Sequence, residues 1–474
     1  MNARSRTWSS IPLPPRGEGQ GGGSMMTTSP VAEDREVFRA SFDRFAKRLS
    51  ERDAPWLRRL RTAAMARFAE RGFPTTRDEA WRKTSVARIA RTAFRPADTS
   101  VSGAEALPAF DLPGLSGPRI VFVNGAYSAG LSAPGPARSG LEVLSLRDVL
   151  ARQPARLESL LTRVVGETGH VFTDLNTAFI EDGALVFIAP GVVLEEPVHL
   201  LYLSLNPGEA PTVSFPRTLI VAGKGSEARV VESYGGPDGQ VYLTNAVTEI
   251  AVEEAASVDH YKLQREGDRA FHVATLAVRQ GRNARFSDHA VAFGADLSRN
   301  DIAVLFGGEG GECTLNGLFL ADGERHADTH TRVDHAVPRC TSRQLYKGVV
   351  DGAARGVFDG LVLVRKDAQK TDASQTNKNL LLSRQALVDS TPRLEILADD
   401  VKCKHGSTTG QLDPQALFYL RSRGIAEAAA RTLLTYAFAS DVVRRIGVEP
   451  LRKAVEAHLQ SRLPAASEIK EAFA

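Results

Sequence analysis

Three hydrophobic patterns follow one another along the chain. From about Ala32 to Asp98, apolar positions recur every three or four residues. Val37, Phe38, Phe42, Phe45, Ala46 and Leu49 form one stripe, and Trp56 to Phe68 carries a second that stops at Gly72. That period belongs to amphipathic helices. Arginines and lysines fill the polar faces. Without interleaved aromatics they read as solvated helix surface, not as a nucleic-acid face. After a Pro/Gly/Ala-rich stretch, Ile120-Val121-Phe122-Val123 reads as a short buried strand, ended by a turn at Asn124-Gly125.

From about Leu185 to Gln411 the helical period disappears. Short β-branched runs such as Leu219-Ile220-Val221, Val241-Tyr242-Leu243 and Leu361-Val362-Leu363-Val364 are split by Gly, Asp and Asn. Ala228-Arg229-Val230, Ala256-Ser257-Val258 and Ala284-Arg285-Phe286 sit 28 residues apart. Cys313-Thr314-Leu315 follows 29 later, and Ala327-Asp328-Thr329 another 14 later. Spacings near 28 and 14 predict a coil of more than one strand, repeated several times. Such a solenoid hydrogen-bonds each coil to its neighbours and stacks like side chains inside. A sandwich would also use short strands but needs no fixed period, so the β-helix is favoured.

After Gln411 the helical period returns. Asp413-Pro414 starts one helix, which should end at Gly424. A longer one runs from about Ala426 to Ile446, with Ala429, Leu433, Tyr436, Ala437 and Ser440 on one face. A last one spans Glu449 to Leu463 and stops at Pro464. The expected organisation is a disordered leader (1–31), an N-terminal helical domain (32–118), a mixed α/β connecting region (119–184), a parallel β-helix core (185–411) and a C-terminal helical domain (412–474). The terminal helices are expected to cover the open ends of the solenoid, where unpaired strands invite aggregation.

Composition adds limits. The 474 residues, 43% hydrophobic, can build a large core in two or three folding units. Pro12, Pro14, Pro15 and the glycines from Gly17 to Gly23 mark the leader as unable to bury enough surface to order itself. Met1, Met25 and Met26 all stay open as the true start. Lys and Arg total 59 against 56 Asp and Glu, a net charge of +3 that asks for no nucleic acid. Three cysteines, Cys313, Cys340 and Cys403, make no disulfide framework and suit a reducing compartment. No apolar run approaches the ~20 residues of a membrane helix. The expectation is a soluble, cytoplasmic protein.

The chemistry is sparse. No phosphate loop, nucleophile elbow, HExxH or CxxC is present, which argues against a self-contained enzyme. Cys403-Lys404-His405 is the sharpest local feature. Residues two apart on a strand share a face, so Cys403 and His405 would present a soft thiolate beside an imidazole, ligands suited to iron or zinc. On the residues alone, a buried cysteine next to a surface histidine is the more economical reading, because two donors leave a four-coordinate site unfinished. A second subunit would remove that objection. His326, Asp328 and His330 also alternate, followed by Asp334 and His335. They read as a hydrogen-bonded polar ladder on an outer face in preference to a metal site. Cys313 and Cys340 read as core residues.

Longer phrases carry more information. They are Tyr346-Lys347-Gly348, Thr376-Asn377-Lys378-Asn379-Leu380-Leu381-Leu382, Leu394-Glu395-Ile396, Ala398-Asp399-Asp400-Val401-Lys402-Cys403-Lys404-His405-Gly406 and Phe418-Tyr419-Leu420-Arg421-Ser422-Arg423-Gly424, with Pro74 to Thr84 and Val121 to Gly125 nearer the N-terminus. Through them the chain resembles the SufB/SufD family of iron–sulfur cluster assembly scaffolds, from roughly Ala32 to Leu463. Gly406 directly after His405, and Thr376-Asn377 where SufB-like chains carry a cysteine, put the resemblance on the SufD side.

The resemblance implies a right-handed parallel β-helix core, mainly β, flanked by N-terminal and C-terminal α-helical domains. It implies a scaffold and not an enzyme, paired with a SufB-like scaffold and bound through its C-terminal helices to a SufC-like ATPase. It further implies a transient Fe-S cluster shared with SufB, with His405 and Cys403 as metal ligands and no nucleotide bound by this chain itself. Phe418, Tyr419, Arg421 and Arg423 are then candidate ATPase contacts, since aromatic and arginine side chains are common interface anchors. Two other readings stay open: a β-helix carbohydrate-active enzyme (polysaccharide lyase or hydrolase), and a SufB-like scaffold acting as a homodimer.

Overall fold

The computed structural model describes residues 30–166 and 170–463. The leader expected over 1–31 falls outside them up to residue 29, as does Pro464. Short alternating strands drive the middle of the chain into two long parallel sheets. Sheet 1 runs through Gly183–Ile188, Arg217–Ala222, Tyr242–Val252, Phe271–Gln280, Leu297–Phe306, His326–His335 and Arg355–Val364 to Leu387–Ile396. Sheet 2 runs through Val198–Leu203, Glu227–Gly235, Ser257–Arg265, Arg285–Ala292, Glu312–Ala321, Thr341–Val350 and Asp372–Leu381 to Lys402–Gly410. The chain alternates between the sheets, so each coil gives one strand to each. This is the expected β-helix.

The period is real but uneven. Ser257 pairs with Arg285 and Arg285 with Glu312, steps of 28 and 27 residues. Ala228, however, pairs with Val258 and not with Ala256. Register is set by which side chains enter the lumen, and Ala228 and Val258 both do; Ala256 lies in the turn before its strand. Ala327, half a period from Cys313, is in the opposite sheet. Inside, Val230, Val258, Phe286, Cys313, Leu315 and Tyr346 from sheet 2 meet Ile250, Leu276, Ile302, Val304 and Phe358 from sheet 1. Cys313 and Cys340 are both buried there, as expected.

The two ends of the solenoid differ. At the N-terminal end, Leu141–Ser145 lies antiparallel on Gly183–Ile188. Arg119–Val123 joins sheet 2 beside Val198–Leu203 and turns back at Asn124 and Gly125 to Ala126–Tyr127. At the C-terminal end, Leu387–Ile396 and Lys402–Gly410 are each paired along one edge only.

The helices do not cover this end, contrary to the sequence expectation; they cover faces. Pro30–Leu49 and Pro55–Arg71 bury Phe38, Phe42, Phe45, Leu49, Met65 and Phe68. These pack with the short helix Val171–Ala178 onto the outer face of sheet 1, at Leu243, Phe271, Val273 and Leu297. Gly72, at φ 66°, ends the second helix. From there to Asp98 the chain is mostly turns, with a single helical turn at Glu79–Trp81 and a short helix at Ala87–Arg91. The outer face of sheet 2 is covered by Glu427–Val443 and Glu449–Arg462, through Ala439, Val442, Val443, Ile446, Leu451 and Leu459. The buried stripe of Glu427–Val443 is rotated from the expected one: Ala437 is exposed, and Thr432 and Thr435 are buried. Thr435 is satisfied by donating to the Arg431 carbonyl, which a search for apolar spacing alone misses. The reason helices sit on faces is that outward side chains such as Tyr261, Leu263 and Phe271 are apolar and need cover. Among the described residues, no helix is long and apolar enough to cross a membrane.

Candidate functional site

The last coil forms the mouth of the lumen. Along sheet 2, Gln344, Gln375 and His405 stack in register. Gln344 and Gln375 are 4% and 1% exposed, whereas His405, with nothing stacked above it, is exposed. Its inward direction follows from its neighbours. Cys403 packs with Val362, Ala373 and Leu394 inside the coil. Ser407 donates to Ser390 Oγ of sheet 1 at 2.7 Å, and Ser390 donates to Asn377 Oδ1 at 2.7 Å. His405 lies between Cys403 and Ser407 on the same face of the strand.

The mouth therefore offers a thiol and an imidazole side by side. Burial pushes the Cys403 thiol up from its ordinary range, so at neutral pH it is protonated and would give up a proton on binding metal. The donor types suit iron, but two donors fall short of the four that a tetrahedral site uses. Among the described residues, no group of three or more His, Cys, Asp or Glu side chains is arranged to hold a metal ion. The rim is apolar: Leu387, Ile396 and Leu397 are 60%, 41% and 63% exposed.

Just beyond the mouth lies the helix Pro414–Ser422, capped by the Asp413 carboxylate, which accepts from the Gln415 amide at 2.9 Å. No residue of this helix is buried. Phe418 and Tyr419 are large and open to solvent. The Arg423 guanidinium lies over the Tyr419 ring at 5.2 Å, and Arg421 pairs with Glu427 at 3.4 Å. The four residues singled out in the sequence thus form one exposed aromatic and cationic surface.

The polar ladder of His326, Asp328 and His330 is on the outer face of sheet 1, hydrogen-bonded as expected, and also covered. Thr84 donates to Asp328 at 2.6 Å and lies 2.9 Å from His326 Nε2. Arg299 pairs with Asp328 and Asp301 at 2.8 Å. Burial raises the Asp328 pKa, but Arg299, His330 and Thr84 together outweigh it and hold the carboxyl below its usual range. The ladder fastens the Pro74 to Thr84 segment to the sheet. Of the two residues after it, Asp334 pairs with Arg365 outside, and His335 is enclosed in the lumen.

Sequence reading missed a charged cluster inside the coils. His260 bridges Glu232 and Asp288, at 3.1 and 2.7 Å. Burial alone would lower its pKa; the two carboxylates outweigh burial and carry it to about 9. Lys262, held by Asn300 Oδ1 at 2.6 Å, is depressed by burial to about 8. The cluster encloses a cavity of about 20 Å³, room for one water. The only signal in the sequence was polar residues at alternate, inward positions. Leu315, Ile302 and Phe358 separate this cluster from the mouth.

The class this architecture defines is a parallel β-helix with one bare end and a thiol–imidazole pair at its mouth. Comparison with known proteins gives the family. Residues 33–200 match the SufBD protein N-terminal region, and residues 204–438 match the SufBD core domain of the SUF system for FeS cluster assembly. The chain belongs to the SufBD family of iron–sulfur cluster assembly proteins. It is 35% identical to an iron–sulfur cluster assembly SufBD family protein of Synechocystis sp., over 80% of this chain and 85% of that one. It is 31% identical to the iron–sulfur cluster assembly protein SufD of Escherichia coli, over 83% and 90%. It is 29% identical to the chloroplastic protein ABCI7 of Arabidopsis thaliana, over 86% of each. The family is one of iron–sulfur assembly, not of polysaccharide lyases or hydrolases.

Proposed function

We propose that this chain is a non-catalytic scaffold subunit, of the SufD kind, in a cytoplasmic iron–sulfur assembly complex. The bare last coil carries the reading. Two strands with free edges, an apolar rim and an inward thiol–imidazole pair form an end that a second β-helix would extend and complete. The partner is a SufB-like scaffold, and the nascent cluster, as cargo, forms where the two mouths meet. His405 and Cys403 are this chain's ligands to it, and the sister chain supplies the rest.

The exposed helix around Phe418, Tyr419, Arg421 and Arg423 takes a SufC-like ATPase, which binds the nucleotide that this chain does not. Closure of two ATPase copies would move these helices. The Glu427–Val443 helix, packed on sheet 2, would pass that displacement to the coils and open the paired mouths. Co-expression with candidate partners tests the reading. A stable complex containing a sister scaffold and an ATPase, with cluster absorption after anaerobic reconstitution, is the expected outcome. His405→Ala should keep the complex and lose the cluster. A chain that purifies only as a homodimer and builds a normal cluster without His405 would sink the proposal.

A further inference from the structure

One side chain beneath the mouth has no partner. Gln375 is 1% exposed, and neither its Nε2 nor its Oε1 has a hydrogen bond. A buried carboxamide without partners is costly, and folded proteins rarely keep one without a reason. One coil earlier the same layer is satisfied at its oxygen, although Gln344 Nε2 has no hydrogen bond. There Gln344 accepts from Thr331 across the lumen at 2.8 Å. Gln344 pairs in register with Gln375, and Thr331 pairs in register with Gly360. The threonine has thus become a glycine in the next coil. Gly360 also makes room for the amide, because a Cβ there would run into Gln375 Nε2. One coil further on, Gly360 is followed by Pro392 and Gln375 by His405. Proline brings no N–H to this layer. His405 is therefore the polar side chain next to the orphaned amide along the stack, and it makes no hydrogen bond of its own among the described residues.

From this we infer that Gln375 is a positioning residue for His405. When a partner covers the mouth, the imidazole settles onto Gln375, whose Oε1 accepts one ring N–H. That bond fixes the tautomer and leaves the other ring nitrogen bare toward the metal, the usual role of a group behind a ligating histidine. The inference rests on His405 being a ligand in the assembled complex. It goes further in naming what holds the ring and why a glycine replaces the threonine one layer below.

The test uses the complex assembled with its partners under anaerobic conditions, with ferrous iron alone as the probe. Gln375→Met keeps the volume and removes the amide; Gln375→Glu keeps an acceptor. The methionine variant should raise the Kd for ferrous iron about tenfold or more, and the glutamate variant should stay near wild type. In the full chain without partners or metal, Gln375→Met should leave the Tm unchanged or higher, because the amide it removes had no bond to lose. Wild-type iron affinity in Gln375→Met, alongside lost binding in His405→Ala, overturns this inference and leaves the ligand reading standing. A lower Tm for the unliganded Gln375→Met chain also overturns it, since the amide would then have a partner already. Iron binding untouched in His405→Ala removes the ligand reading itself. A chain that forms no complex has no covered mouth and overturns both.

Discussion

The guanidinium of Arg299 lies over the indole of Trp81, its central carbon 3.7 Å from the ring centroid. This contact joins the N-terminal segment to the solenoid. Arg299 is 1% exposed and also donates to the Ala80 carbonyl, to Asp301 and to Asp328. The stacking, the backbone bond and the ion pairs act together, as a planar guanidinium allows. Replacing it leaves the buried Asp328 and the half-buried Asp301 carboxylates without their arginine. Arg299→Met should destabilise the chain by ~3–5 kcal/mol, read from urea unfolding. A loss below about 1 kcal/mol would mean that the carboxylates find other partners.

Gly317 and Tyr346 are neighbours in register on sheet 2. The Tyr346 ring lies flat where a Cβ on Gly317 would be, and Tyr346 is 2% exposed with nowhere to move. Gly317→Ala should therefore destabilise by ~1–3 kcal/mol through overpacking, although alanine suits a strand better than glycine. Circular dichroism melts of the two proteins would show whether steric crowding or backbone entropy wins.

His335 gives the chain a pH dependence. It is enclosed in the lumen, its Nε2 2.9 Å from Ser342 Oγ and its ring 4.6 Å from that of Phe306. Burial pulls its pKa down from 6.5 to about 4, with Asp334 acting weakly the other way. Between those values the unfolded chain takes up a proton that the folded chain refuses. The contribution of His335 is thus complete above pH 6.5 and is lost as the pH falls through about 4, a change of ~3 kcal/mol. Unfolding midpoints at pH 7, 5.5 and 4.5 should fall more steeply in the wild type than in His335→Gln. Parallel slopes would show that the ring is already open to protons when folded.

Phe418 and Tyr419, 72% and 57% exposed, should matter for binding and hardly at all for stability. The double change to alanine should weaken ATPase binding by ~2 kcal/mol or more if these are its anchors, with stability held within about 0.5 kcal/mol. Leu397→Glu, at the rim, should do the same for the sister scaffold and leave the ATPase bound. Pull-down with each partner separately distinguishes the two surfaces. Loss of both partners from either variant would point to a single shared interface.

The sequence by itself determined the order helix, solenoid, helix, because hydrophobic spacing reports local geometry and the three- or four-residue period gives way to short β-branched runs and then returns. It marked the helix start at Asp413, the stop at Gly72 and the turn at Asn124-Gly125, all of which follow from one or two residues acting on their own backbone. It also brought Cys403 and His405 to one face of one strand, which needs alternation and nothing more. Other features depend on residues about 30 positions apart meeting through register, and no local pattern encodes that. Among them are the pairing of Ala228 with Val258, the helices on faces instead of ends, the His260 cluster within the coils and the open mouth above Gln375. The tertiary structure decided them because each coil's lumen is filled by its neighbours. Only the last coil, with no neighbour beyond it, leaves His405 uncovered.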